Sequence, residues 1–107
     1  MIGWKQAYTS GYENLVIVEL DIPQDAKVEY IGKYGDTDGI YLCDKATVLS
    51  VSSFDKKHSV NIARSLKDCH FKYKVGEEVR AEIDETLGDR SGIYFFKTRE
   101  EAVKYEF

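Results

Sequence analysis

Ser91-Gly92-Ile93-Tyr94-Phe95-Phe96-Lys97-Thr98-Arg99-Glu100-Glu101-Ala102-Val103-Lys104-Tyr105 carries three structural instructions in one run. Residues 93–96 are apolar and aromatic, as a covered strand requires. Thr98 followed by Glu101 has capping-box spacing, in which the hydroxyl accepts from the N3 amide and the carboxylate returns to the N-cap amide. A helix over about residues 99–105 follows. A helix this short does not persist alone, so Ala102 and Val103 must pack on a sheet. Phe95 or Phe96 then belongs to the core beneath it.

Working outward, the rest of the chain reads as short strands. Residues 4–8 mix apolar and polar positions, and Gly11 breaks them from Leu15-Val16-Ile17-Val18-Glu19-Leu20, a β-branched run suited to a central strand. Pro23 ends that strand, and residues 22–26 form a turn or one helical turn before a strand over 27–31. Residues 32–39 hold three glycines and two aspartates, the composition of a mobile loop. Residues 40–43 and 46–54 are strand-like, with a turn or kink at Asp44-Lys45. In the longer run, alternation puts Thr47, Leu49, Val51 and Ser53 on one face and Ala46, Val48, Ser50, Ser52 and Phe54 on the other. Residues 55–68 have an irregular pattern that suits a short helix or a surface loop. Phe71, Tyr73 and Val75 alternate with lysines, and Gly76 turns the chain into 77–83, which reads as a hairpin. Residues 87–92 are a further turn region.

These elements predict an α+β fold. One small domain over residues 1–107 carries a twisted, mainly antiparallel sheet with one or two short helices, the C-terminal helix packed on the sheet. A chain of 107 residues buries roughly two thirds of its unfolded surface, and 43% hydrophobic residues with a single proline are enough for one core.

The net charge of −4 argues against a nucleic-acid ligand, which calls for a basic field. An acidic surface can instead meet a basic protein or imitate phosphates, although this charge is ordinary for a soluble domain. The longest apolar run, residues 15–18, is far too short to span a membrane, and residues 1–5 have no apolar leader. Cys43 and Cys69 lack CxxC spacing, so a cytoplasmic setting with reduced thiols is expected.

Four blocks in order carry a resemblance. They are Ile17-Val18-Glu19-Leu20-Asp21-Ile22-Pro23-Gln24-Asp25-Ala26-Lys27; Cys43-Asp44-Lys45-Ala46-Thr47-Val48-Leu49-Ser50-Val51; Phe71-Lys72-Tyr73-Lys74-Val75-Gly76-Glu77; and Gly92-Ile93-Tyr94-Phe95-Phe96. Together they resemble an uncharacterised domain of phage and bacterial proteins that often accompanies pentapeptide repeats. The likeness covers nearly the whole chain and implies a phage or mobile-element setting, without an activity. Family members commonly have histidine where Tyr94 stands, often with a cysteine shortly before the glycine. Here residues 88–91 read Gly-Asp-Arg-Ser, so any role of that histidine is lost, and the repeats are absent.

No constellation of catalytic residues emerges, and neither metal nor cofactor is expected. His58, His70, Cys43 and Cys69 lack zinc spacing. Asp36-Thr37-Asp38-Gly39 opens like a calcium loop but has no later glutamate, and Gly32-Lys33-Tyr34-Gly35 matches no phosphate-binding loop. Cys69 and His70 are neighbours, whose side chains diverge on a strand. The aromatics carry more weight, because tyrosine anchors interfaces at low entropy cost. Candidate binding residues are Tyr34 and Tyr41 beside the glycine loop, with Lys33, Asp36 and Asp38, and also Trp4, Lys5, Tyr73, Tyr94 and Arg99.

The expected function is therefore a non-enzymatic binding protein of phage origin that acts on a host protein in the host cytoplasm. Inhibition of a bacterial defence such as CRISPR is its most concrete form. One alternative is a nucleotide- or NAD-handling domain resembling ADP-ribosyl transferases, with Tyr73, Tyr94 and Glu101 around the ligand. The other is a virion or adaptor component, which predicts a homo-oligomer.

Overall fold

A computed structural model of the chain describes residues 1–9, 15–33, 38–66, 70–83 and 92–105. The apolar runs become strands in sequence order: β1 (Ile2–Tyr8), β2 (Leu15–Asp21), β3 (Val28–Gly32), β4 (Ile40–Cys43), β5 (Lys45–Ser53), β6 (Ile62–Arg64), β7 (Lys72–Lys74), β8 (Glu78–Arg80) and β9 (Ile93–Phe95). The α1 helix (Arg99–Lys104) is the one helix among the described residues. The Ala26 amide closes a turn on the Pro23 carbonyl at 3.1 Å. Asp44 is the kink at which the chain leaves one sheet and enters the other.

There are two sheets, and every pairing of named strands is antiparallel. One has the order β7-β6-β1-β2-β5-β8 and the other β3-β4-β9. The hairpin expected over residues 71–83 does not form. Instead, β7 and β8 are the two edges of the larger sheet, although only residues 75–77 separate them. The Val75 amide donates to Asn61 at 2.9 Å, whereas the Gly76 amide donates to Val48 at 2.8 Å and the Val48 amide to Glu77 at 3.0 Å. One bent segment thus joins β6 on one side to β5 on the other and closes the sheet on itself. Gly76 makes the bend at φ 88°, a conformation glycine adopts without a side-chain clash.

Within the 55–68 segment, the described residues 55–66 form neither a helix nor a plain loop. They supply β6 and a bridge between Ser52 and Ser59, because the closed sheet needs a strand beside β1 that local periodicity does not announce. The alternation expected along β5 also breaks. Glu19 pairs with Ser50 and Leu20 with Val48, so Leu49 is a bulge residue, and Val48 and Val51 both turn into the core.

The first face of the larger sheet gathers Ala7, Val16, Val18, Leu20, Val48, Val51, Ala63 and Tyr73 into the main core, which the smaller sheet extends with Cys43, Ile93 and Phe95. On the opposite face, Ile17, Phe96 and Ala102 form a second cluster beneath α1, edged by Trp4, Phe54 and Val103. Phe95 and Phe96 are therefore both buried, one in each cluster. Gly3 is buried where a Cβ would stand 2.6 Å from the Phe95 ring, so the absence of a side chain there admits the ring.

The helix begins much as its sequence indicates. The Thr98 hydroxyl accepts from the Glu101 amide at 3.2 Å. The Glu101 carboxylate accepts from that hydroxyl at 2.8 Å and from the Asp38 amide at 2.6 Å, in place of the N-cap amide. The helix ends at Lys104, with Tyr105 as its C-cap.

Candidate functional site

Two groups of chemistry-bearing side chains are assembled by this fold. The first lies inside the closed sheet. Alternation along β1 sends Lys5 to the side of Gly3 and Ala7, and its ammonium donates to the Tyr73 hydroxyl at 2.7 Å, 4.8 Å from the ring centroid. Both residues are buried. Burial holds the Tyr73 phenol protonated far above the ordinary tyrosine range, with the Cys43 charge adding to the effect and a hydrogen bond with Ser65 opposing it. Burial likewise pushes the Cys43 thiol up to about 12, against the pull of the Lys5 ammonium. A nucleophilic cysteine needs its thiolate, so this group is poorly suited to covalent chemistry at neutral pH. What it does is tie β1 to β7 with a charge-assisted hydrogen bond in a low-dielectric interior.

The second group lies on the smaller sheet. The register sets Tyr30 opposite Tyr41 and Tyr41 opposite Phe95, so three rings run across β3, β4 and β9. Tyr30 meets Tyr41 edge-on at 5.3 Å, Tyr41 stacks on Phe95 at 5.6 Å, and the Lys97 ammonium sits 4.7 Å over the Tyr41 ring. The inner ring is buried, the middle one is half-buried, and Tyr30 is 52% exposed. Gly39 secures the outer ring, since a Cβ there would meet it at 2.3 Å. The ladder thus presents an aromatic surface in a fixed geometry, with a cation beside it.

The residues expected to bind something are distributed between these places. Tyr41 lies in the ladder, with Lys33 and Asp38 exposed, while Tyr34 and Asp36 fall outside the described residues. Lys5 and Tyr73 meet in the interior. Trp4 is half-buried against the α1 cluster and exchanges backbone hydrogen bonds with Phe96 at 2.9 and 2.7 Å. Arg99 spends its guanidinium on the Ser53 carbonyl at 2.8 Å and the Phe54 carbonyl at 3.3 Å, bracing the turn after β5. Tyr94 is half-buried on the face of β9 opposite Phe95. His70 is exposed, and Cys69 lies outside the described residues.

Sequence reasoning missed Tyr30 and Lys97 as surface partners. Lys97 stands two positions after Phe95 and so shares its face, a signal that was available. The neighbourhood of Tyr30 depends on cross-strand register, which no local pattern reveals. Among the described residues no group of three or more His, Cys, Asp or Glu side chains could hold a metal ion, and no helix is long and apolar enough to cross a membrane.

Over residues 1–102 the chain matches a family of unknown function, DUF5758, and it belongs to that family. No curated protein and no solved structure matches it.

Proposed function

We propose that this chain is a non-catalytic module that binds another protein through the Tyr30–Tyr41 surface and its Lys97 cation. The observation that carries the reading is the fixed geometry of Tyr30: a large ring left half in solvent, yet positioned by Gly39 and Tyr41. Rings held in place before binding lose little entropy on contact, which is the property of an interface anchor. The resemblance to phage and bacterial domains favours a host protein as the partner. In its most specific form the chain inhibits a bacterial defence complex such as a CRISPR nuclease.

The test is capture from a bacterial lysate by the wild type and by a Tyr30→Ala, Lys97→Ala double variant, with thermal unfolding of both. The wild type is expected to retain a partner that the variant loses at an almost unchanged midpoint. Equal capture by both would overturn the reading. Failure to co-purify with, or inhibit, any host nuclease complex counts against the defence-inhibitor form.

A further inference from the structure

The open edge of β3 deepens the protein-binding reading, on which this inference rests. We propose that this edge receives an extended segment of the partner as an added strand, with an apolar side chain against Tyr30 and acidic residues towards the ends that face Lys27 and Lys33.

Hydrogen bonding along β3 determines which backbone groups are free to do this. The Asp44 amide donates to the Lys27 carbonyl at 3.2 Å. In an antiparallel ladder, mutually hydrogen-bonded pairs alternate with pairs that are not. Glu29 with Leu42 is then the bonded pair, and Val28 with Cys43 and Tyr30 with Tyr41 are the others. The amides and carbonyls of Val28 and Tyr30 therefore point away from β4, and among the described residues nothing pairs with them. Two donors and two acceptors stand in line, spaced as an incoming strand requires.

The side chains agree with the backbone. Val28 and Tyr30 share the face of Cys43, Ile93 and Phe95, yet they are 40% and 52% exposed. An added strand would extend that face and set its own side chain beside Tyr30 as a further rung of the ladder. Most edge strands are blunted by a proline, a bulge or an inward charge. Here residues 28–30 contain no proline, the irregularity in pairing comes between Tyr30 and Gly32, and the one charge among them, Glu29, lies opposite Leu42 on the face away from Tyr30.

Charge selects among possible occupants. Lys27 and Lys33 are exposed at the two ends of the edge. A second copy pairing antiparallel about Tyr30 would set Lys27 opposite Lys33 at both ends, and like charges in that position destabilise a sheet. A strand with acidic ends would instead meet a complementary charge at each end.

A random nine-residue peptide library displayed on yeast, selected with the whole chain, tests this. Enriched peptides should have an apolar centre and acidic ends. A synthetic peptide from that set should protect the Val28 and Tyr30 amides from hydrogen exchange. Val28→Pro removes one outward donor without touching the β3–β4 ladder and should weaken the peptide about tenfold. If that variant does not fold, backbone N-methylation of the peptide should give a similar loss on the wild type. No enriched peptide, or affinity indifferent to both changes, would overturn the proposal. So would wild-type self-association that Val28→Pro abolishes, since the edge would then belong to a second copy. Binding lost in the Tyr30→Ala, Lys97→Ala variant but kept in Val28→Pro would leave the partner surface standing and remove the added strand.

Discussion

The side-chain amide of Gln6 donates to the Ala102 carbonyl at 2.8 Å, joining the first strand to the last turn of the helix. The same nitrogen lies 3.3 Å from the Val103 carbonyl and 2.6 Å from that of Tyr105. The final carbonyls of any helix lack partners within the helix, and those of α1 face a buried strand where water is scarce. Gln6 adds a second donor to the Ala102 carbonyl, which already accepts from the Tyr105 amide at 3.3 Å, and brings donors to the other two from outside the helix.

Gln6→Ala is therefore expected to cost about 1–3 kcal/mol of stability, with faster amide exchange confined to α1. Urea unfolding and hydrogen exchange would check this. Uniform acceleration across both sheets would show that the helix is not separately held.

Gly3→Ala should destabilise the fold by about 1–3 kcal/mol, because the new methyl meets the Phe95 ring and the Ile22 Cδ1 atom at under 3 Å. Adding Phe95→Leu to Gly3→Ala should recover part of the loss. A double variant no better than the sum of the two single changes would place the strain elsewhere.

The Lys5–Tyr73 hydrogen bond predicts energetic coupling. Tyr73→Phe takes an acceptor from a buried ammonium and should cost about 1–3 kcal/mol. In a double-mutant cycle with Lys5→Met, the two effects should fall short of additivity by about 1 kcal/mol. Strict additivity would mean that the contact stabilises nothing.

Cys43 makes stability sensitive to alkali. Its folded-state value of about 12 lies above the ordinary 9.0, so from pH 9 upward the unfolded chain sheds the proton while the folded one keeps it. Stability must then fall as pH rises, by up to about 4 kcal/mol between pH 9 and 12, and the raised Tyr73 phenol adds loss above about pH 10. Thermal midpoints across this window should drop less in Cys43→Ala than in the wild type. At pH 8 a thiol reagent should modify Cys43 only after unfolding.

The order of strands and the terminal helix were legible because each rests on local chemistry. The β-branched run from Leu15 to Leu20 became a strand flanked on both sides, and Thr98 capped a helix where its spacing to Glu101 placed one. Features set by distant partners were not legible. Gly76 does turn the chain, but its amide bonds to Val48, so the turn joins two sheet edges instead of folding a hairpin. Leu49 looks like any alternating residue until the register with β2 makes it a bulge. The candidate site divides in the same way: Tyr41 stands out by its place beside the glycine-rich stretch, whereas Tyr30 acquires its setting only from the strand across from it.

Closure of the larger sheet also bears on how the chain is made. The first strand pairs with β6, bridges to Phe96 and caps the helix through Gln6, so β1 waits during synthesis for partners made long after it. Contacts so distant in sequence slow the search for the native state. Until residues 96–105 emerge, one side of β1 and β2, with Ile17 at its centre, has no cover. A nascent chain of this kind is open to aggregation through that face until the covering residues arrive.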